Sequence, residues 1–286
     1  MAARNNQERV GARKEASTPA PVVNSNDNTT SFSFASPTEI VELPSRGRTY
    51  PDGHPLCGVD TIEIRYMTAK DEDILTSASL LKQGVAIERM LQNVIVDKNI
   101  SVDDLLVGDK NALIVASRVT GYGPQYNTTI NCPSCFATVK QSFDLSEKKM
   151  NYGFDLEKAE AKETEHGTFI VDLPVSKVKL ELRLLTGRDE KRLLDLAENR
   201  RRNNLPEGTL TDQFGLMIVS VNGDNQPSTI NSFIDVMPAM DAQHARYCYV
   251  CIMPNLDLNQ DFSCTSCGHK QEVELPFTAD FFWPKR

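Results

Sequence analysis

The sequence predicts an α+β protein made of two copies of one strand–helices–β-ribbon unit, sharing a four-cysteine element and preceded by a flexible arm. Three observations predict this. Ile64–Leu75 matches Leu182–Leu193 at an offset of 118. Ile130-Asn-Cys-Pro-Ser-Cys135 matches Phe262-Ser-Cys-Thr-Ser-Cys267 at an offset of 132. The matches keep the same order in both halves, as an internal duplication requires. The change of offset implies 14 extra residues in the second copy, in the polar stretch Arg200–Gly208 or the turn Asn222–Asn225.

The arm comes first. Residues 1–37 hold 17 Ser, Thr, Asn, Gln or Pro, and their apolar residues have neither helical nor strand period. Such a segment buries too little surface to offset its ordering entropy. Its four basic residues are Arg4, Arg9, Arg13 and Lys14. The first unit then spans 38–145, a connector 146–167, and the second unit 168–286.

Each unit opens with a strand. Ile62, Ile64 and Tyr66 alternate in the first, and Val178, Leu180, Leu182 and Leu184 in the second. A Thr-x-x-Asp follows each strand, Thr68 with Asp71 and Thr186 with Asp189. That spacing suits a helix cap whose third-position acid faces the exposed amides. Capping explains the Asp71-Glu72 and Asp189-Glu190 pairs better than acid–base catalysis does. Helical patterns follow at about 69–82, 84–96 and 109–119, and at about 187–203, 209–221, 228–236 and 238–252. In the connector, Leu156-Glu-Lys-Ala-Glu-Ala-Lys-Glu163 favours a helix.

The cysteines carry the chemistry. Cys132-x-x-Cys135 and Cys264-x-x-Cys267 each sit between alternating segments that read as the two strands of a ribbon. Tyr126–Ile130 leads into the first, and Val139, Gln141, Phe143 and Leu145 lead out. Around the second, Leu256, Leu258 and Phe262 lead in, and Val273, Leu275 and Phe277 lead out. A knuckle of this spacing turns both sulfurs to one side, and two facing knuckles supply the tetrahedral thiolate set that structural zinc takes. The units therefore donate one knuckle each to one shared zinc-ribbon-like element, with Cys132, Cys135, Cys264 and Cys267 as ligands. Four thiolates close the shell and leave no position for a catalytic water; iron satisfies the same ligand rule. Gly268 suits a backbone that needs positive φ. Cys248-x-x-Cys251 falls in a helical stretch, opposite Ala116 and Val119 at the offset of 132, and reads as packed thiols. Cys57 is isolated, and His269 reads as an exposed knuckle residue.

Composition narrows the function. Outside the arm there are 27 basic and 36 acidic residues, a net −9, which counts against phosphate-backbone binding. A zinc-ribbon nucleic-acid-binding factor remains the alternative, using Lys140, Lys148, Lys149 or Arg200-Arg-Arg202 as a basic patch. No 18-residue apolar window exists, and the polar start MAARNNQERV argues against a secretory signal. No Ser/His/Asp spacing, phosphate loop or glycine-rich cradle is present, so no catalytic residue is assigned.

Several stretches resemble one family. They are Leu43-Pro-Ser-Arg-Gly-Arg-Thr-Tyr50, Ile64–Leu75, Asp241–Met253, and Phe262 through the Phe281-Phe-Trp-Pro284 ending. Over about 40–286 the chain resembles the baseplate hub subunit or hub assembly proteins of T4-like contractile-tailed bacteriophages. The resemblance implies a non-enzymatic part in building the tail baseplate, with other baseplate and tail proteins as partners. It implies residence in the host cytoplasm during assembly and leaves the mature virion tail open. The aromatic group Phe277, Phe281, Phe282 and Trp283 then has two readings. It covers the ribbon's apolar face, or it anchors a neighbouring subunit; in the second case Phe282 and Trp283 are dispensable for folding.

Overall fold

The computed structural model describes residues 36–146, 149–274 and 281–282. The arm therefore lies almost wholly outside the described residues, as do Leu275, Phe277 and Trp283. Mixed helices and small antiparallel sheets make up the rest.

β1 (Thr38–Glu42) and β2 (Thr61–Arg65) form an antiparallel pair. α1 (Ala69–Thr76), α2 (Ala78–Gln83) and α3 (Ala86–Val94) follow, then a 3-10 turn at Val102–Asp104 and α4 (Val107–Tyr122). β3 (Gln125–Asn131) and β4 (Thr138–Asp144) make the first ribbon. Three short strands come next: β5 (Lys149–Asn151), β6 (Ala161–Glu163) and β7 (Phe169–Asp172). β8 (Lys179–Leu182), α5 (Gly187–Arg202), α6 (Thr209–Met217) and β9 (Ile218–Val221) follow. α7 (Pro227–Val236), α8 (Ala239–Ile252) and β10 (Asn255–Asp257) lead to the second ribbon, β11 (Asn259–Ser263) with β12 (Lys270–Glu274).

Both helix starts behave as the sequence predicts. The Asp71 carboxylate accepts hydrogen bonds from the Thr68 N–H and hydroxyl, and Asp189 does the same for Thr186. Each acid also takes both arms of an arginine six residues earlier, Arg65 for Asp71 and Arg183 for Asp189. Burial pushes the Asp71 carboxyl up, but hydrogen bonds from Arg65, Thr68 and Asn93 outweigh it and hold Asp71 down at about 2. These acids are fully engaged in holding strand to helix.

A second pair of carboxylates fixes a turn in each half. Asp109, in the first turn of α4, accepts from the Ser45 N–H and hydroxyl and from the Tyr50 hydroxyl. Asp241, in the first turn of α8, accepts from the N–H groups of Val175 and Ser176. Each turn starts with a buried leucine and a proline, Leu43-Pro44 and Leu173-Pro174, and each holds a residue in the left-handed region, Arg46 (φ 51°) and Lys177 (φ 59°). The sequence reading missed these two turns, although Leu-Pro after an alternating strand is visible in both halves.

One hydrophobic core runs through both halves, from Leu43 and Ile64 to Leu182 and Ile252. Their backbones also interlock. Gly187 N–H donates to Leu105 O at 2.9 Å and Val107 N–H to Leu185 O at 3.1 Å. The buried Lys110 ammonium bridges Glu88 and Glu190, tying α3, α4 and α5 together. At Gly108 a Cβ would lie 1.9 Å from the Pro254 carbonyl oxygen, so this approach of α4 to the segment before β10 needs glycine.

Two local expectations fail. The helix-favouring stretch 156–163 is a turn followed by β6, an edge strand of the sheet β6-β7-β8-β9. Glu160 (φ 48°) holds a left-handed conformation inside that stretch, which a helix cannot accommodate. The expected helix 209–221 stops at Met217, and Ile218–Val221 pairs with β8 instead. The run Ile218-Val219-Ser220-Val221 is short and three of its four residues are β-branched, and tertiary pairing decides such segments.

Candidate metal centre

The first knuckle is built by the β3–β4 turn. Cys132 N–H donates to Ala137 O at 2.9 Å, and Phe136 N–H donates to Cys132 O at 2.9 Å. The β11–β12 turn repeats the pattern: Cys264 N–H donates to His269 O at 2.8 Å, and Gly268 N–H to Cys264 O at 2.9 Å. At the fifth position of each knuckle the chain turns left-handed, with Phe136 at φ 60° and Gly268 at φ 72°. Gly268 meets the expectation for positive φ, and Phe136 takes the same conformation with its ring 82% exposed.

The two knuckles face each other. Cys132 Sγ lies 3.7 Å from Cys267 Sγ, and Cys135 Sγ lies 3.7 Å from Cys264 Sγ. The first cysteine of each knuckle is buried and the second exposed, so each buried sulfur meets the partner knuckle's exposed one. All four Sγ atoms lie within 4.8 Å of one another. A disulfide needs about 2.05 Å, and all four cysteines are free thiols. Four sulfurs about 2.3 Å from one tetrahedral ion would stand about 3.8 Å apart, which the two crosswise spacings match.

The electrostatics point the same way. The backbone N–H of Cys267, working against burial, pulls the Cys264 thiol down to about 6. Cys135 is pushed up to about 12 by the sulfurs around it, although the Ala137 backbone favours its thiolate. Thiols this close resist ionising together unless a cation lies among them. The donor set therefore fits a soft, tetrahedral ion such as zinc.

Beneath the sulfurs lies a small core of Cys132, Val139, Phe262 and Cys264, flanked by Ile130 and Val273. The ribbons remain two separate two-stranded sheets. Where the sequence predicted one shared ribbon, interleaved side chains and sulfurs join the two in place of a continuous backbone ladder.

Other candidate residues fall elsewhere. Cys248 is buried in α8, and its Sγ lies 3.4 Å from His244 Nε2; burial pushes this thiol up to about 11, as for a packed core group. Cys57 is exposed, and His269 sits 3.4 Å from Gln271 Oε1, outside the sulfur group. Two arginines of the Arg200–Arg202 run are already engaged, Arg200 bidentate with Asp212 and Arg202 with Glu198. Lys148 lies outside the described residues.

Phe281 and Phe282 are fully buried in the main core, with Phe281 5.1 Å from the Tyr126 ring. Arg118, itself buried, donates to the carbonyls of Phe281, Gly123 and Gln125. Phe282 is thus a folding residue, against the idea that it is dispensable to the monomer. A lone arginine near the end of an apolar helix was the only sequence signal for this anchor.

A sequence profile of one family, that of the T4 bacteriophage base plate protein, matches residues 36–283. The chain belongs to this baseplate protein family. No curated protein and no solved structure matches it. The baseplate profile covers both ribbons, both capped helix starts and both Leu-Pro turns. Among the described residues, no helix of this baseplate protein is long and apolar enough to cross a membrane.

Proposed function

We propose that this baseplate protein is a non-enzymatic structural or assembly subunit of the tail hub, with two duplicated halves clasped by one structural zinc ion. The observation that carries the metal assignment is the crosswise 3.7 Å pairing of Cys132 with Cys267 and Cys135 with Cys264. Bound there, the ion would supply a closed four-thiolate crosslink and no open coordination position. The duplication draws support from three recurring devices. They are the Arg65–Asp71 and Arg183–Asp189 clamps, the Leu-Pro turns hooked by Asp109 and Asp241, and the matched knuckles. The hub role rests on the family resemblance of the Leu43–Tyr50 and Phe281–Pro284 segments.

Elemental analysis of the purified chain tests the metal: about one zinc per chain is expected, lost in Cys264→Ser. Unchanged metal content in that variant refutes the ligand set. Mass spectrometry of purified particles against infected-cell lysate tests the role. Stoichiometric presence in particles marks a virion subunit, and enrichment only in lysate marks an assembly factor. Absence of any association with tail proteins overturns the baseplate role. Salt-dependent shift of plain duplex or single-stranded DNA would favour the nucleic-acid-binding alternative.

A further inference from the structure

The link from β1 to β2 runs 43–60, three times the length of the link from β7 to β8 at 173–178. Its extra residues build one wall of a cavity of about 560 Å3. The β6–β7 turn and the start of α5 complete its lining. Tyr50, Leu106 and Leu184 form an apolar floor, and the His54 ring stacks on Tyr50 at 4.6 Å.

Five basic residues line the same cavity: Arg183, Arg188, Arg192, His54 and His166. Two of the arginines are neutralised, Arg183 by Asp189 and Arg188 by Asp104. Arg192 has no carboxylate partner among the described residues. His54 Nδ1 accepts the Leu56 N–H, which leaves Nε2 as the donor of that ring. Thr49 lies on the same link. It is β-branched yet held at φ 66°, and its buried Oγ1 has no hydrogen-bond partner. Backbone strain of this kind persists where the surroundings enforce a particular shape.

We infer that this cavity binds the side-chain carboxylate of an acidic segment of a partner protein, with Arg192 as the ion-pairing residue and His54 and His166 as flanking donors. A single unneutralised arginine calls for a single negative charge. No glycine-rich loop cradles a phosphate among the lining residues. The partner's identity as a tail protein rests on the baseplate reading; the carboxylate site does not, and its test needs no baseplate.

The test follows the imidazole resonances of His54 and His166 by NMR in the full chain at constant ionic strength. Titrants are the α-amide of N-acetylglutamate, which carries one side-chain carboxylate, and inorganic phosphate. The carboxylate should shift both imidazoles saturably, with a millimolar dissociation constant weakened about tenfold or more in Arg192→Ala. Arg192 is exposed, so the variant should keep the parent's thermal transition. Arg201→Ala, outside the cavity, should bind as the parent does. Absence of saturable shifts, equal affinity in Arg192→Ala, or tighter binding of phosphate overturns the inference.

Discussion

The two cysteine knuckles have the same hydrogen-bond pattern and the same left-handed fifth position, yet one places Gly268 there and the other Phe136. The two Leu-Pro turns differ in a similar way. Asp241 takes a backbone N–H on each oxygen and the Ser176 hydroxyl besides, whereas Asp109 meets one N–H and two hydroxyls. The difference extends to charge. Burial pushes both carboxyls up; the Val175 N–H, the Ser176 hydroxyl and N–H, and the nearby His244 overcome this at Asp241, and the bonds from Ser45 and Tyr50 do not at Asp109. Geometry is thus held constant between the halves while the chemistry that enforces it varies. What each position tolerates should therefore be predictable from its own donors.

The largest effect should come from the feature the halves share. Cys264→Ser should abolish zinc binding and cost about 4 kcal/mol or more in unfolding free energy. Because one core and the Gly187–Leu105 and Val107–Leu185 hydrogen bonds also join the halves, the variant should unfold in a single lowered transition. Two separate calorimetric transitions would show that the ion alone had held the halves together.

The carboxylate pair should separate next. Asp241→Asn sets an amide NH2 against a backbone N–H and should cost about 2–3 kcal/mol by chemical denaturation. Asp109→Asn can turn its NH2 toward the Ser45 and Tyr50 hydroxyls and should cost about 1 kcal/mol. Equal losses would erase the proposed distinction.

Acid titration sharpens it. Asp71 is lowered from 3.8 to about 2, so its stabilisation is present above its unfolded value and lost as pH falls from about 4 through 2. Asp241 and Asp189, also lowered, act in the same direction. Asp109 is raised, so its contribution is full below the unfolded value and lost as pH rises through its folded value. Asp71→Asn should therefore flatten the acid limb of stability against pH, and Asp109→Asn should steepen it. An unchanged acid limb in Asp71→Asn would contradict the assigned shift.

The smallest effect lies at the knuckles. Phe136→Gly should stabilise by up to about 1 kcal/mol by relieving a left-handed non-glycine residue, and Gly268→Ala should cost a similar amount. A Cβ at Gly268 meets nothing within 4 Å, so that cost is purely conformational. Thermal melts of the two variants should move in opposite directions.

The sequence makes the cysteine group legible because thiol spacing is a local signal and the ribbon alternation on either side is strong. It makes the capped helix starts legible for the same reason: Thr and Asp act within one turn. Long-range partners leave fainter traces. Nothing near Asp109 announces Ser45, and nothing near Arg118 announces the Phe281 carbonyl. Composition misleads where backbone geometry overrides propensity, as at Glu160, which turns the chain out of the helix that 156–163 favours. The Leu43-Pro44 and Leu173-Pro174 turns were readable but sit in links of unequal length, which hides their correspondence from any fixed offset.

Cys135 and Cys264 are 129 positions apart along the chain. During translation the earlier sulfur pair emerges long before the later one, and must stay reduced through that delay. An ion held by all four sulfurs could be captured only after residue 267 is made. A protease nick between the ribbons would leave the two fragments held by the shared core, with or without a chelator.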